Sequence, residues 1–208
     1  MRRLAKTLLK ALRSTGIPLK LARGVRDLGT DAGAGKNRTV PVRNARLKKA
    51  EARTARVMKI KKWCAKAAKL YTTNIWPTSA YGIAAFGCPP TVLRSFRTNA
   101  AACASGKKGA CPTTTIALCL PHGADPAIST RIEVVRNWIR FWTDNGTLHT
   151  ALKEAWMKMI PRLWEDSRYR WNKVKGPMGA TIATLYDIGW RPIDPAAWME
   201  PVESDTLM

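Results

Sequence analysis

Apolar residues recur at three- and four-residue spacing along most of this chain, a pattern that predicts helices each burying one face. The clearest segment begins at Asp125-Pro126, where an N-cap carboxylate precedes a proline whose fixed φ suits the first helical turn. Ile128, Ile132, Val135, Ile139 and Trp142 then form a stripe, expected to face the core, before Asn145-Gly146 ends the helix. Another helix is expected behind Thr91 as N-cap, with Leu93, Phe96, Ala100 and Cys103 inward and Gly106 as its stop. Leu148, Leu152, Ala155 and Met159 predict a helix over 147–160, closed by Pro161, and a further one spans Met178 to Asp187 and stops at Gly189-Trp190.

Pro41 can open a long helix running toward Asn74, because nothing in between breaks the pattern. In its second half Val57, Ile60, Cys64, Ala67 and Tyr71 share one face, and Lys59, Lys62, Lys66 and Lys69 fall on the other. The segment NIWPTSAYGIAAFGCPP, punctuated by prolines and glycines, reads as a buried elbow of short helical or extended pieces. GKKGACPTTT reads as a loop, RLWEDSRYRWNKVKGP is mixed, and RPIDPAAWMEPVESDTLM, with three prolines, is expected to be extended or disordered. No internal repeat is present, and the fold class is mainly α.

Charge changes this picture more than composition does. The 208 residues carry a formal charge of +22, and residues 1–70 hold 21 Lys/Arg against Asp27, Asp31 and Glu51. Such an excess points to a polyanionic partner, with nucleic acid foremost. Arg43, Arg46, Lys49, Arg53 and Arg56 step by three or four and lead into Lys59, Lys62, Lys66 and Lys69, so basic groups wind along the expected helix. Glu51 is its only acid, and like charges at i,i+4 repel unless something anionic neutralises them. These nine residues are therefore the candidate nucleic-acid-binding set, making phosphate contacts to RNA, DNA or an RNA–DNA hybrid.

Other chemistry is weakly signalled. The stretch DLGTDAGAGKNR suggests a phosphate loop, but Thr30 stands where the first Gly is needed and Asn37 where the magnesium-binding hydroxyl belongs. The apolar run Leu19 to Leu28 before it is interrupted by Lys20, Arg23 and Arg26, so a Gly-rich turn is the better reading. Five cysteines without a regular framework suggest reduced thiols inside a cell. Cys111, Cys119 and His122 lie close in sequence but lack paired Cys-x-x-Cys knuckles, so no metal site is expected. No apolar run reaches the roughly 20 residues that a bilayer requires, so no membrane partner is expected. MRRLAKTLLKALRS is amphipathic, basic and free of acids, as an organelle targeting peptide would be.

The order of these landmarks resembles the reverse transcriptases of non-LTR (LINE-type) retrotransposons, in the part that follows the polymerase active site. GIPLKLARGVRDLGTD resembles the family's stretch ending in an LG-V/T-D strand at the palm's edge, RNARLKKAEARTARVMKI its basic helix, and NIWPTSAYG its P-x-x-x-YG elbow. The helix from Leu93 to Ala104, DPAISTRIEVVRNWIRFW and GWRPIDPAAW look like later landmarks, so the resemblance runs over residues 10–200 or so.

The resemblance implies a palm-edge α/β remnant with its Gly-rich turn at 1–40, a basic helix and helical thumb-like bundle at 41–146, and connector helices with an irregular tail at 147–208. The family's Tyr-x-Asp-Asp motif, whose carboxylates hold two metal ions, would lie upstream of Met1, and the chain contains no Asp-Asp pair. No catalytic residue is carried over. The expectation is a catalytically incomplete fragment of an RNA-directed DNA polymerase that lacks its palm, needs no cofactor of its own where the full enzyme would use Mg2+, and resides in nucleus or cytoplasm.

Two rival readings share parts of this evidence. A ribosome-associated or organelle (mitochondrial) RNA-binding protein with an N-terminal leader would use the same basic helix. An enzyme with its own site would have to draw on Cys119 with His122, His149 with Glu154, or scattered acids such as Asp166 and Asp187. No third group is evident to orient such a pair, so unrelated core and loop positions are the preferred reading.

Overall fold

A computed structural model describes residues 24–27, 30–33, 38–107, 115–116, 125–165 and 167–200. The chain is mainly helical, as the apolar spacing predicts. Strands β1 (Gly24–Asp27) and β2 (Thr30–Gly33) pair antiparallel, with Val25 opposite Ala32 and Arg26 opposite Asp31. Helix α1 (Pro41–Lys61) follows, then a 3-10 turn (Ala65–Ala68), a π-helical turn (Tyr71–Ile75), and the short helices α2 (Trp76–Ala80) and α3 (Ile83–Phe86). Next come α4 (Pro90–Ser105), α5 (Pro126–Asp144), α6 (His149–Trp164), α7 (Arg170–Lys173) and α8 (Pro177–Asp187). A second antiparallel hairpin, β3 (Arg191–Asp194) with β4 (Ala197–Met199), completes the described order. Among the described residues no helix is long and apolar enough to cross a membrane.

Helix α8 lies at the centre. Every residue from Gly179 to Leu185 is buried, and the two threonines in that run satisfy their hydroxyls by donating to backbone carbonyls, Thr181 to Pro177 and Thr184 to Ala180. Around it Leu93, Phe96, Val134, Trp138, Trp156, Leu163 and Val174 form one cluster, so α4 and α5 share a core with α6 and α8. A smaller cluster joins Ala50, Val57, Ala67, Tyr71 and Ile75 to Ala100, Ala101 and Cys103 of α4. Helix ends with strong local signals lie where expected. Asp125 accepts the Ala127 N–H at 2.9 Å, and Gly106 and Gly189 adopt positive φ just past α4 and α8. Helix α4 begins at Pro90 with Pro89 as its cap, which places Thr91 inside the first turn rather than at the N-cap. The elbow is also found, with Ile75, Ser79, Ala80 and Ile83 buried.

Further expectations are corrected. The stripe Ile128, Ile132 and Ile139 does not face the core, since each of these residues is about half exposed. Helix α5 instead buries Ala127, Thr130, Val134 and Trp138, a face one residue away. An aromatic side chain buries about 150–250 Å² and gains further from ring contact. Trp138 packs against Trp156 with ring centroids 5.2 Å apart and donates its indole N–H to the Pro195 carbonyl at 2.9 Å, so the tryptophan decides the rotation.

Helix α6 runs through Pro161 to Trp164 rather than closing there, and its buried residues are Trp156 and Leu163, while Leu148 and Ala155 are exposed. Proline removes one N–H from the ladder. Pro161 and Met157, whose carbonyl loses that donor, both face solvent, where water can take the bond. The helix expected to reach Asn74 breaks after Lys61, and Cys64 turns extended at φ −139°. The break returns Ala67 and Tyr71 to the α4 side, where the Tyr71 hydroxyl donates to the Phe96 carbonyl at 2.8 Å. Ile60 and Cys64, placed on the inner face by spacing alone, are exposed.

Over 191–199 the tail is extended, the first of its two expected states, and it pairs as a hairpin whose register shifts between Pro192 and Asp194. Its hairpin takes the indole N–H groups of Trp138 and Trp156 on the carbonyls of Pro195 and Pro192. A two-stranded hairpin consists only of edges, where proline is tolerated. Of the expected α/β remnant only the β1–β2 hairpin is described, and residues 34–36 of the Gly-rich turn, residues 108–114 of GKKGACPTTT, and residues 1–23 lie outside the described residues.

Truncating the buried Trp138 to Ala is expected to cost about 3–5 kcal/mol, whereas Ile132→Ser on the exposed stripe should change stability by no more than about 0.5 kcal/mol. Urea denaturation of the two variants measures both. Comparable losses would contradict the assigned rotation of α5.

Candidate nucleic-acid interface

Helix α1 carries eight basic residues against one acid. It buries only a narrow face, Ala50, Thr54 and Val57, and leaves the rest of its circumference to charge. Its N-cap, Val40, has no side chain able to accept a hydrogen bond, and its first turn contains no acid. The missing cap comes from strand β2. The Asp31 carboxylate accepts the backbone N–H groups of Val42 at 2.8 Å and Arg43 at 3.0 Å, which ties the hairpin to the positive end of the helix.

The nine candidate residues do not form one uniform surface. Lys49, Arg56, Lys59, Lys62, Lys66 and Lys69 are exposed. Arg43, Arg46 and Arg53 are half-buried, and Arg46 and Arg53 hold the elbow in place as well as presenting charge. Arg46 donates to the Tyr81 carbonyl at 3.2 Å and lies over the Tyr81 ring, while Arg53 donates to the Asn74 side-chain oxygen at 3.3 Å. Lys66 and Lys69 sit on the segment that turns back after Lys61, so they do not continue the line of α1.

Arg46, Lys49, Arg53 and Arg56 do share one flank, and the same stepping continues to Ile60 and Trp63. Beside this flank Arg53, Arg56, Val57, Leu70, Asn74 and Ile75 line an open groove of about 320 Å³. Trp63 is 92% exposed at the end of the flank. Spacing from Arg56 would have found it, but a tryptophan is ordinarily assigned to a core.

At the other end of α1 two guanidinium groups turn inward. Arg38 donates to the Gly87 carbonyl at 3.0 Å, yet its Nε and Nη1 are buried without partners, as are those of Arg43. Burial, reinforced by Arg43, pushes Arg38 down to about 10, which leaves it protonated at neutral pH, and burial also lowers Arg43. The neighbouring Cys88 thiol is pushed up to about 12 by burial and supplies no negative charge. Asp31 is the carboxylate that acts on both arginines.

Of the rival catalytic residues that are described, His149 and Asp187 make structural contacts. His149 stacks on Trp142 with ring centroids 3.8 Å apart, and its Nε2 lies 2.8 Å from the Trp142 carbonyl oxygen. Glu154 is exposed one turn along α6. Asp187 accepts from Arg170 at 3.3 Å and from the Trp171 indole at 2.9 Å; burial raises its carboxyl above the ordinary range against the pull of those partners. Cys111, Cys119, His122 and Asp166 lie outside the described residues, and among the described residues no group of three His, Cys, Asp or Glu side chains could hold a metal ion.

Asp31→Ala removes two charge-assisted hydrogen bonds and the carboxylate facing Arg38 and Arg43, so a loss of about 2–3 kcal/mol is expected. Asp31→Asn, which keeps acceptor oxygen but no charge, should recover part of it. Denaturant unfolding of the two variants reads the difference, and a loss near zero for Asp31→Ala would show that the cap is not needed.

Compared with protein-family models, curated proteins and solved structures, the chain matches none.

Proposed function

We propose that this chain binds nucleic-acid duplex, as RNA, DNA or hybrid, through sequence-independent phosphate contacts along the exposed flank of α1. One observation carries the reading: exposed basic side chains follow one another along a rigid helix whose single acid, Glu51, cannot neutralise them. A helix of 21 residues is about 30 Å long, close to the length of roughly nine base pairs at about 3.4 Å each. Lys and Arg contacts to phosphates fix position on a duplex and carry no sequence information.

On the resemblance to LINE-type reverse transcriptases, this grip corresponds to that of a helical thumb on template and primer. The chain then contributes holding and no nucleotide addition, because the paired catalytic carboxylates of that family have no counterpart in it.

With about six phosphates neutralised, affinity for a duplex should fall on the order of 10³-fold between about 50 and 200 mM salt. Replacing Lys49, Arg56 and Lys59 together by glutamine should reduce the slope of log affinity against log salt by about 2–3 and weaken all sequences alike. Fluorescence anisotropy on two unrelated duplexes measures both effects. Binding that hardly responds to salt, or one that survives the triple substitution, would overturn the proposal.

A further inference from the structure

The basic flank of α1 ends on an aromatic ring. The backbone stays helical through Lys62, and the N–H groups of Trp63 and Cys64 both reach the Ile60 carbonyl at 2.9 Å, so Trp63 is held at the tip of the helix rather than on a loose loop. Its side chain is almost wholly in solvent, with Ile60 and Leu70 also exposed. Trp63 is the single tryptophan of the first 70 residues; Trp138 and Trp156, by contrast, are fully buried. Lys59, Lys62 and Lys66 surround it in sequence and are exposed, and from residue 52 to residue 124 the chain contains no acidic residue.

An indole kept in water beside several cations suits a partner that offers negative charge and a flat apolar face together. Nucleic acid offers both, in its phosphates and its bases. Inside a duplex each base face is covered by its neighbours, so a ring at the tip of a helix lying along the duplex can meet a base only where pairing stops.

We propose that Trp63 stacks on an unpaired nucleobase at the junction between the duplex gripped by α1 and an adjoining single strand, with Lys59, Lys62 and Lys66 holding the flanking phosphates. The inference rests on the duplex-binding reading and narrows it to junction-containing substrates. Stacking of this kind tolerates any base, because each has a π-face. A membrane surface also accepts Trp beside Lys. It would require a broad apolar helix face, whereas the exposed positions of α1 between 48 and 60 are Lys, Arg, Glu and Ala, with Ile60 the one large apolar residue among them.

The test compares the full chain on a blunt duplex of about 12 base pairs and on the same duplex with an unpaired tail of about four nucleotides, at one salt concentration. The wild-type chain is expected to prefer the tailed substrate by about 10-fold or more. In Trp63→Ala that preference should collapse toward unity, and Trp63→Phe should restore most of it. Circular dichroism confirms that each variant folds, as expected for a side chain this exposed. Binding to the tailed substrate should also quench an emission component present in wild type and missing from Trp63→Phe.

If the wild-type chain binds neither substrate, the duplex reading itself fails. If it binds both equally and Trp63→Ala does not alter their ratio, the duplex reading stands and the stacking inference is overturned. Loss of binding to phosphatidylserine vesicles in Trp63→Ala, with the oligonucleotide ratio unchanged, would assign the ring to a lipid surface instead.

Discussion

The placing of the basic helix depends on a thin seam between two helices. Ala50, Thr54 and Val57 of α1 are buried in the same region as Ala100, Ala101 and Cys103 of α4. Small side chains let two backbones approach closely, so the seam can be narrow and still exclude water. That narrowness allows a helix with eight basic residues to be packed at all, because the long Lys and Arg side chains keep most of the circumference. Its own helical propensity is opposed by like-charge repulsion, so tertiary packing must hold it. The turn after Lys61 strengthens the seam by bringing Ala67, Tyr71 and Ile75 into the same cluster, where the buried Tyr71 hydroxyl is bonded to the α4 backbone.

Electrostatics follows from where the few acids are placed. Asp31 caps α1, Asp125 caps α5 and pairs with Arg97, and Asp187 receives Arg170 and the Trp171 indole. Each of these carboxylates is committed to internal hydrogen bonds that position helices. None is left to offset the exposed Lys and Arg of α1, whose positive field is therefore available to an external polyanion. The same logic accounts for the inward Arg38 and Arg43. Two guanidinium groups stand near the single carboxylate of Asp31 at the N-terminal end of α1.

The signals that held are local ones. Asp125-Pro126, Gly106 and Gly189 mark helix ends through backbone chemistry that involves only adjacent residues, and these boundaries agree with the structure. The basic run from Arg43 to Lys69 was legible in the same way, as residue type at a regular step. Its division into exposed and inward members was not. Arg46 and Arg53 are drawn toward Tyr81 and Asn74, which reach them only because the chain turns after Lys61, and no glycine or proline announces that turn. The capping of α1 by Asp31 crosses eleven residues and a strand, with no local signature.

Helix α5 makes the general point. Two stripes one residue apart, Ile128-Ile132-Ile139 and Ala127-Val134-Trp138, both satisfy helical spacing, so periodicity establishes a helix without choosing its buried face. The sequence by itself determined that the chain is helical, where several helices begin and end, and that its first third carries most of the excess positive charge. Tertiary structure alone decided which faces are buried, that the 191–199 segment docks as a hairpin under two indoles, and that Trp63 stands in solvent at the end of the charged flank. The reason is physical: backbone capping and charge are properties of neighbouring residues, whereas burial is settled only by competition among all the surfaces that could cover a side chain.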